Sequence, residues 1–455
     1  MNHWISVAVQ TPAHSSVAGP LTYRSELPLP PGTLVRAPLG SREVLGIVWS
    51  PADGPPDGRA AEATRTIAGA LEGIEPLSAP WLELVAFAAG YYQRALGELA
   101  LAALPPQLRE LSSTQLARRL KASAGKPRDA SAGNAIEKNP DFIALSDQQT
   151  LALAEFDSKP GPFLLFGATG SGKTEVYLHA VAALLERDPG AQALVMVPEI
   201  NLTPQLEARF NARFAPRYGD RSVVSLHSGM THPQRLKSWL AAHSGAARIV
   251  LGTRMAVFAS MPGLKLIVVD EEHDPSYKQQ EGARYSARDL AVYRGRLDGA
   301  KVLLGSATPS LESWHHSRPA TVDDPGGRYT RLVMPGRIGD AGFPKVRRVD
   351  MNHQPMKTVF SAPLLDAIRA RVARGEQSMV FLNRRGYAPV LHCADCGWKS
   401  ECPHCSAFRV FHKIDRTLRC HHCGFTERVP RACPACGNID IAPLGRGTER
   451  LEEHL

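Results

Sequence analysis

The sequence has no long hydrophobic run, and it carries its cysteines in one segment only. No uninterrupted apolar stretch approaches the roughly 18 residues of a membrane-spanning helix. Residues 1–4 lack the basic start and apolar core of a signal peptide. All eight cysteines lie between Cys393 and Cys436, which disfavours a secreted disulfide framework and favours bound metal. These absences predict a cytoplasmic protein that makes no contact with a membrane.

Charge and hydrophobicity are those of an ordinary globular protein. Lys and Arg number 53 against 44 Asp and Glu, and the resulting net charge of +9 favours an anionic partner without requiring one. Hydrophobic residues make up 44% of the chain and charged residues 21%, as in soluble proteins. A length of 455 residues predicts about three or four folded units.

Residues 1–104 are predicted to form a small α+β domain that is rich in β-structure. Short apolar runs alternate with Pro and Gly turns up to about residue 50. Residues 80–104 then carry apolar side chains at helical spacing and stop at two prolines. Residues 105–140 are polar and rich in Ala, Ser and Lys, which predicts a linker, with a reduced DNA-binding helical module as the alternative.

From Leu145 the pattern changes to alternating strands and helices. This alternation predicts an α/β domain, in which a parallel sheet carries helices on both faces. The predicted strands are residues 163–166, 193–197, 223–226, 248–251, 266–269 and 302–304.

The first of these strands leads into a complete G-x-x-x-x-G-K-[ST] motif. The motif consists of Gly167, Ala168, Thr169, Gly170, Ser171, Gly172, Lys173 and Thr174. In such a loop the backbone N–H groups surround phosphates, Lys173 reaches the β- and γ-phosphates and the Thr174 hydroxyl binds Mg²⁺. The N-terminus of the following helix adds its positive dipole end. The motif predicts that the chain binds a nucleoside triphosphate.

Two acidic residues follow the strand at 266–269. At the end of a strand in such a sheet, Asp270 is expected to hold Mg²⁺ and Glu271 to act as general base. A solvated helix cap is the simpler interpretation of an isolated acidic run, and the upstream phosphate loop makes it the weaker one.

Two further turns follow strands of the same predicted sheet. Thr253 and Arg254, in Gly-Thr-Arg at 252–254, could grip a phosphodiester backbone. The hydroxyls of Gly-Ser-Ala-Thr-Pro at 305–309 could bridge the acidic motif to a polymer site. Either turn alone could be a plain loop.

The cysteines form four Cys-x-x-Cys pairs. The pairs are Cys393 with Cys396, Cys402 with Cys405, Cys420 with Cys423, and Cys433 with Cys436. Eight thiolates make two closed four-cysteine Zn²⁺ sites. The 14 residues between the two inner pairs are close to zinc-ribbon spacing. An iron–sulfur cluster is the chemical alternative, and the turn residues within the pairs favour zinc.

Together these motifs resemble a superfamily-2 helicase lobe, and closely the PriA (primosomal protein N′) family of replication-restart helicases. The similarity extends over nearly all of the chain and is weakest in residues 51–140. Besides the motifs above, it rests on the segments LVMVPEI (194–200), LTPQ (202–205), LHSG (226–229), SYKQQEG (276–282), RY (284–285), ARDL (287–290) and FLNRRGY (381–387).

The resemblance implies a RecA-like lobe, an incomplete second lobe with a zinc-ribbon insertion, and a small N-terminal DNA-binding domain. The implied domains are an N-terminal domain that recognises DNA 3′ ends (1–104), a linker or reduced winged-helix module (105–140), the ATP-binding lobe (141–330), the start of the second lobe (331–392), the Cys-rich insertion (393–437) and a return to the second lobe (438–455). It also implies nested zinc pairing, inner pairs together and outer pairs together.

The resemblance implies site residues as well. Gln149 is expected beside the adenine. The segment 274–289 resembles an aromatic-rich loop in which Tyr277 and Tyr285 stack on bases while Lys278 and Arg284 lie near phosphates. Gly40 matches the pattern of the 3′-end module, whereas the Phe-Asp-Tyr of the family is Leu-Thr-Tyr at 21–23, without the carboxylate that could hold a terminal hydroxyl.

The implied function is an ATP-dependent 3′→5′ DNA helicase that recognises stalled or branched replication forks and initiates primosome assembly. The implied cofactors are ATP, Mg²⁺ and two structural Zn²⁺. The implied partners are forked and single-stranded DNA, other primosome proteins and single-strand-binding proteins, with the chain itself a monomer. Another superfamily-2 DNA translocase and a DNA-binding scaffold without ATP turnover remain alternatives.

A Gln…Gly-Arg-x-Gly-Arg motif, whose arginines would contact the γ-phosphate from the second lobe, is missing from the sequence. Arg384 and Arg385 do not substitute for it. We therefore expect either a fragment or a poor ATPase, which binds ATP and DNA with weak or absent unwinding.

Overall fold

The computed structural model describes most of the chain. The described residues are 3–11, 19–55, 64–111, 115, 116, 118, 144–198, 203–339, 344–353, 360–381, 390–405, 407–421 and 423–444. They belong to two compact units, Met1–Gly342 and Phe343–Leu455. Within these described ranges, no helix has both the length and the apolar character that crossing a membrane requires.

A five-stranded antiparallel sheet forms the β-rich part of the N-terminal domain, as predicted. Alternate residues of its first strand, Ile5, Val7 and Val9, point into one small core. The spatial order is β2-β1-β4-β3-β5. The strands are β1 (His3–Val9), β2 (Leu21–Ser25), β3 (Leu34–Leu39), β4 (Arg42–Pro51) and β5 (Gly69–Ala70).

The helical stretch predicted at 80–104 is divided into two helices, α1 (Ala79–Tyr91) and α2 (Leu96–Ala102). The Ser78 side chain caps α1 by accepting a hydrogen bond from the backbone N–H of Trp81. Gln93 has φ +52°, and this left-handed conformation ends the helix and redirects the chain.

The chain after α2 packs against the N-terminal sheet instead of leaving it as a free linker. A short 3₁₀ helix spans Pro106–Arg109. The Arg36 guanidinium in β3 donates hydrogen bonds to the carbonyl oxygens of Leu108, Arg109 and Leu111. Residues 115, 116 and 118 are helical, and residues 119–143, most of the predicted linker, lie outside the described residues.

The central domain is the predicted parallel α/β lobe. Its seven strands are all paired in parallel, in the order β12-β6-β11-β10-β7-β9-β8. They are β6 (Phe163–Gly167), β7 (Gln192–Met196), β8 (Val223–Leu226), β9 (Ile249–Gly252), β10 (Leu264–Val269), β11 (Lys301–Ser306) and β12 (Thr330–Met334).

Strand β12 was not predicted, and it extends the lobe beyond the expected boundary at residue 330. It pairs with β6 at the edge of the sheet. Only Leu332 and Met334 of its five residues are buried. An edge strand with two buried side chains lacks the apolar run that indicated the six predicted strands.

Helices cover both faces of the sheet. The period-2 alternation of β7 places Ala193 and Val195 in one core, and Leu194 and Met196 in the other. The helices are α3 (Asp147–Ser158), α4 (Lys173–Arg187), α5 (Thr203–Tyr218), α6 (His232–His243), α7 (Ala287–Asp298) and α8 (Leu311–His316).

The N-terminal domain and the lobe share one hydrophobic core. The indole N–H of Trp81 in α1 donates to the carbonyl oxygen of Phe258, at 2.7 Å. His243 of α6 lies 2.9 Å from the carbonyl oxygen of Glu75 through Nε2, and 2.8 Å from Ser260 Oγ through Nδ1. These buried polar contacts fix the orientation of the N-terminal helices on the lobe.

Among its described residues, the second unit contains one α-helix, a short 3₁₀ helix (Met351–His353) and two small antiparallel sheets. Strand β13 pairs with β17, and β14, β15 and β16 form a three-stranded sheet. The elements are α9 (Ala362–Ala373), β13 (Val390–Cys393), β14 (Val410–His412), β15 (Thr417–Arg419), β16 (Thr426–Arg428) and β17 (Ile441–Leu444).

Candidate functional site

The phosphate loop lies between β6 and α4, as its sequence predicts. Gly170 and Gly172 have φ of +83° and +77°, a region in which L side chains are strained. Space is also limited at Gly172, where an added Cβ would lie 2.4 Å from Ile338 Cδ1 and 2.5 Å from Gln149 Nε2. The predicted residues are placed as follows: Gly167 ends β6, residues 168–172 form the turn, and Lys173 and Thr174 begin α4.

The backbone after β12 lies along this loop. The Ala168 N–H donates to the carbonyl oxygen of Met334 at 3.1 Å. The Ile338 N–H donates to the carbonyl oxygen of Gly170 at 3.0 Å. The last strand of the sheet is therefore continuous with a segment that contacts the phosphate loop.

Lys173 joins the loop to the acidic motif. Its ammonium donates to the carbonyl oxygen of Gly167 at 3.2 Å and lies 4.0 Å from Glu271 Oε1. Glu271 has φ +45°, a conformation that costs a non-glycine residue energy and that is found preferentially at functional sites. The second carboxylate oxygen of Glu271 lies 3.7 Å from Nδ1 of His273.

Asp270 is held from two sides. The Tyr177 hydroxyl donates to Asp270 Oδ1 at 2.9 Å, and the Glu271 N–H donates to the same oxygen at 3.1 Å. From the other side the Tyr277 hydroxyl donates to the main-chain oxygen of Asp270, at 2.7 Å. Burial raises the pKa of Asp270, and the hydrogen bond from Tyr177 opposes that rise.

Ser306, the last residue of β11, and Thr308, in the turn that follows, reach the acidic motif through His273. Nδ1 of His273 lies 2.8 Å from Ser306 Oγ, and Nε2 lies 3.4 Å from Thr308 Oγ1. The Thr308 N–H also donates to Ser306 Oγ at 3.0 Å. The Gly-Ser-Ala-Thr-Pro segment is therefore hydrogen-bonded to the acidic motif, and its predicted bridge to a polymer site stays a prediction.

Glu272 is a structural carboxylate that the sequence analysis missed. It is 1% exposed. It accepts hydrogen bonds from the N–H and Oγ of Ser310, at 2.8 and 3.0 Å, from Ser313 Oγ at 2.8 Å and from Arg288 at 3.4 Å. Ser310 is the N-cap of α8 and Ser313 lies in its first turn, and this three-residue spacing was the available indication of a shared acceptor.

Gln149 forms hydrogen bonds with the phosphate loop. Its buried side chain donates from Nε2 to the carbonyl oxygens of Gly172 and Ser171, at 3.1 and 3.4 Å. Its Oε1 accepts from the N–H of Ser146, completing the capping box of α3. The adenine contact implied for Gln149 stays a prediction.

The structure differs from the prediction at the two tyrosines of the segment 274–289. Tyr277 is 2% exposed and Tyr285 is 8% exposed. The Tyr277 hydroxyl donates to the main-chain oxygen of Asp270. Tyr285 packs edge-on against Phe258, with ring centres 5.1 Å apart. Burial raises the pKa of Tyr285 to about 12. Both rings are therefore largely buried, although Tyr285 also lines a cavity shared with Thr253 and Arg254.

Thr253 and Arg254 line a cavity of about 730 Å³ between α2 and the lobe. The Arg254 guanidinium donates to the carbonyl oxygen of Ser276 at 3.2 Å, which ties the turn after β9 to the segment 274–289. A nucleic-acid role for Thr253 and Arg254 stays a prediction.

The remaining predicted DNA contacts are exposed. Lys278 and Arg284 lie on the surface of their segment, with the Lys278 ammonium 5.3 Å from the centre of the Tyr92 ring. Gly40 forms the exposed turn between β3 and β4 with φ +63°, and its carbonyl oxygen accepts a hydrogen bond from Arg65. The contacts of Lys278, Arg284 and Gly40 with DNA stay predictions.

The cysteines converge in two groups of four. Two sulfur–sulfur distances in each group are 3.4 to 3.7 Å, and all four sulfurs of a group lie within 4.8 Å of one another. Four thiolates at about 2.3 Å from a tetrahedral Zn²⁺ lie roughly 3.8 Å apart, so both groups fit zinc. The groups are Cys393, Cys396, Cys433 and Cys436, and Cys402, Cys405, Cys420 and Cys423. This is the nested pairing that the resemblance implied.

Three family profiles match the chain. The DEAD/DEAH box helicase profile matches residues 146–316. The 3′ DNA-binding domain profile of PriA matches residues 6–105. The profile of the PriA DNA helicase Cys-rich region matches residues 402–428.

Similar proteins are replication restart proteins PriA. The protein of Haemophilus influenzae is 43% identical over 324 residues, which are 71% of this chain and 42% of that protein. The protein of Bacillus subtilis is 40% identical over 326 residues, 70% of this chain and 39% of that protein. The protein of Rickettsia conorii is 34% identical over 441 residues, 95% of this chain and 62% of that protein.

This chain covers less than two thirds of the length of each of these relatives. Along its sequence, the chain matches first the 3′ DNA-binding domain, then the helicase domain and then the Cys-rich region. The chain therefore carries domains of the PriA family of replication restart proteins.

Proposed function

We propose that this chain acts in an ATP-dependent 3′→5′ DNA helicase that recognises stalled or branched replication forks and initiates replication restart. The observation that carries the proposal is the position of Lys173. Its ammonium lies between the phosphate loop, at Gly167, and Glu271 of the acidic motif, 4.0 Å away. A triphosphate on the loop would bring its γ-phosphate between a cation and a candidate base.

The residues of the loop fit a nucleotide. Ser171 Oγ is buried and has no hydrogen-bond partner among the described residues. A buried hydroxyl without a partner is costly, and a phosphate oxygen is an acceptor that would satisfy it. An added Cβ on Gly167 would lie 2.6 Å from this same oxygen, so only glycine leaves the space free.

Each residue then has a defined part in ATP hydrolysis. Lys173 binds the β- and γ-phosphates, and Glu271 accepts a proton from the attacking water. Thr174 and Asp270 would hold Mg²⁺, which neutralises charge on the phosphates. His273, hydrogen-bonded to Ser306, carries changes in the acidic motif to the end of β11.

We also propose a cellular location, an oligomeric state and partners for the chain. The chain works in the cytoplasm as a monomer, on forked and single-stranded DNA, together with other primosome proteins and single-strand-binding proteins. Zn²⁺ occupies both four-cysteine groups. The 455 residues contain no Gln…Gly-Arg-x-Gly-Arg sequence, and we expect this polypeptide alone to turn ATP over slowly.

The test compares ATP turnover, and nucleotide-dependent DNA affinity, with forked DNA, single-stranded DNA and no DNA. A preference for forks supports the proposal, whereas indifference to DNA structure supports another superfamily-2 translocase. If the chain does not hydrolyse ATP and its DNA affinity is unaffected by nucleotide, the result supports a DNA-binding scaffold. Lys173→Ala should abolish ATP affinity, and a variant that keeps both ATP affinity and its effect on DNA binding contradicts the proposal.

A further inference from the structure

Tyr177 lies one helical turn beyond the phosphate loop and reaches the acidic motif. It follows Lys173 by four residues on α4, so both side chains lie on the same side of the helix. Its ring is fully buried. Its hydroxyl donates to Asp270 Oδ1 at 2.9 Å, so α4, which begins at Lys173 of the phosphate loop, also contacts Asp270.

The space for this hydroxyl exists because residue 305 is a glycine. Gly305 lies on β11, the strand that pairs with β10 ahead of Asp270. A Cβ added to Gly305 would lie 1.7 Å from the Tyr177 oxygen and 2.8 Å from the ring carbon that carries it. The phosphate-loop helix, the acidic motif and the strand before Ser306 therefore meet at one phenol oxygen.

This contact determines how Asp270 can present its carboxylate. One oxygen, Oδ1, accepts from both Tyr177 and the Glu271 N–H. The Tyr277 hydroxyl holds the main-chain oxygen of the same residue. A carboxylate fixed through one oxygen has a single orientation in which the other oxygen can meet a cation.

We infer that Tyr177 is the positioning residue that orients Asp270 toward Mg²⁺. This inference rests on the proposed ATPase function. The Tyr177 ring is fully buried and its hydroxyl donates to Asp270 Oδ1, so the contact holds the carboxylate in place. Tyr177 does not touch the nucleotide in this scheme, and its effect is confined to the metal-dependent part of nucleotide binding.

The test measures ATP affinity of the full chain by calorimetry, once with Mg²⁺ and once with EDTA. Tyr177→Phe removes the hydroxyl and keeps the ring. We expect metal-free ATP affinity to remain within twofold of the parent, while the gain in affinity from Mg²⁺ falls about tenfold, the usual effect of losing a hydrogen bond to a charged group. Mn²⁺ binding in the presence of ATP, followed by electron paramagnetic resonance, should weaken in parallel.

Tyr23→Phe is the matched control. Tyr23 is also buried, and its hydroxyl donates to the carbonyl oxygen of Pro38 in the N-terminal sheet, at 3.1 Å. This variant should bind ATP like the parent under both conditions. Gly305→Ala is a second variant, in which the added methyl displaces the phenol, and it should lose the same Mg²⁺-dependent gain.

The outcomes separate this inference from the proposed function. An unchanged Mg²⁺-dependent gain in Tyr177→Phe overturns the inference. An equal loss of affinity with and without Mg²⁺ also overturns it, because that pattern indicates a general structural role. A parent chain that does not bind ATP at all instead overturns the proposed function, as does undiminished ATP affinity in Lys173→Ala.

Discussion

Nδ1 of His273 lies 2.8 Å from Ser306 Oγ, so the acidic motif and the end of the neighbouring strand share a hydrogen bond. His273 also lies 3.7 Å from the Glu271 carboxylate. His273 therefore lies between Glu271, the candidate base, and Ser306 at the end of β11. A shift of that strand end moves His273, and a shift of His273 changes the surroundings of Glu271.

Ser306→Ala should abolish the effect of ATP on DNA affinity, while the chain still binds both ATP and DNA. The serine does not contact the phosphate loop, so ATP affinity in the absence of DNA should stay within about twofold of the parent. The change in single-strand affinity on adding ATP should be lost. Fluorescence anisotropy of a labelled oligonucleotide, with and without nucleotide, measures both quantities. Ser317→Ala, a buried serine that donates to Trp314, is the control and should behave like the parent.

Gly172→Ala should abolish most ATP binding. The residue has φ +77° and no room for a Cβ beside Ile338 and Gln149. We expect at least a tenfold loss of ATP affinity and about 1–2 kcal/mol of lost stability. Gly245→Ala has nearly the same φ, +76°, and open space around it. Equal ATP affinity in the two variants would contradict the role given to the loop geometry.

Glu272→Ala should destabilise the lobe by roughly 3 kcal/mol, because it leaves Ser310, Ser313 and Arg288 facing a void. Urea unfolding monitored by circular dichroism measures this loss. Glu271→Ala is the contrast, since Glu271 is partly exposed and the role proposed for it is that of a base. It should unfold like the parent. Similar losses in both variants would refute the separation of the two carboxylates.

The purified chain should contain two zinc ions. Cys396→Ser and Cys405→Ser belong to different groups, and each should retain one ion by metal analysis. Chelation should unfold residues 390–444, because zinc-binding energy is folding energy in so small a unit. The thermal transition of Met1–Gly342 should persist. Loss of both ions from either single variant would show that the two sites are not independent.

Acidification should loosen the N-terminal helices from the lobe through His243. Burial lowers its pKa below the usual 6.5, with the Glu75 carbonyl and carboxylate acting in the opposite direction. Below about pH 6.5 the unfolded state then binds more protons than the native state, so stability falls as pH falls. His243→Gln should flatten the dependence of the melting temperature between about pH 7.5 and 5.5. An unchanged slope would exclude His243 as its source.

The parts of the site that the sequence predicted are those encoded by local spacing. The phosphate loop needs its glycines and Lys173 at fixed intervals, and each zinc pair needs two cysteines three residues apart. The inner strands were predicted because both faces are buried, which leaves continuous apolar runs. Strand β12 was missed because the edge of a sheet needs only Leu332 and Met334 to be apolar.

What the sequence could not predict is which side chains the tertiary structure buries. Tyr277 and Tyr285 lie in a polar segment with nearby cations, a pattern typical of base stacking, and the lobe buries both. Asp270, Glu271 and Glu272 are consecutive carboxylates with nothing local to distinguish them. The turn after β10 directs Glu272 inward to Ser310 and Ser313, which are about 40 residues away in the sequence.

The backbone that leaves the lobe has a mechanical consequence. Through Met334 and Ile338 it is bonded to Ala168 and Gly170, the amides and carbonyls of the phosphate loop itself. A displacement of residues 334–338 would therefore act on the backbone of the phosphate loop through these two hydrogen bonds.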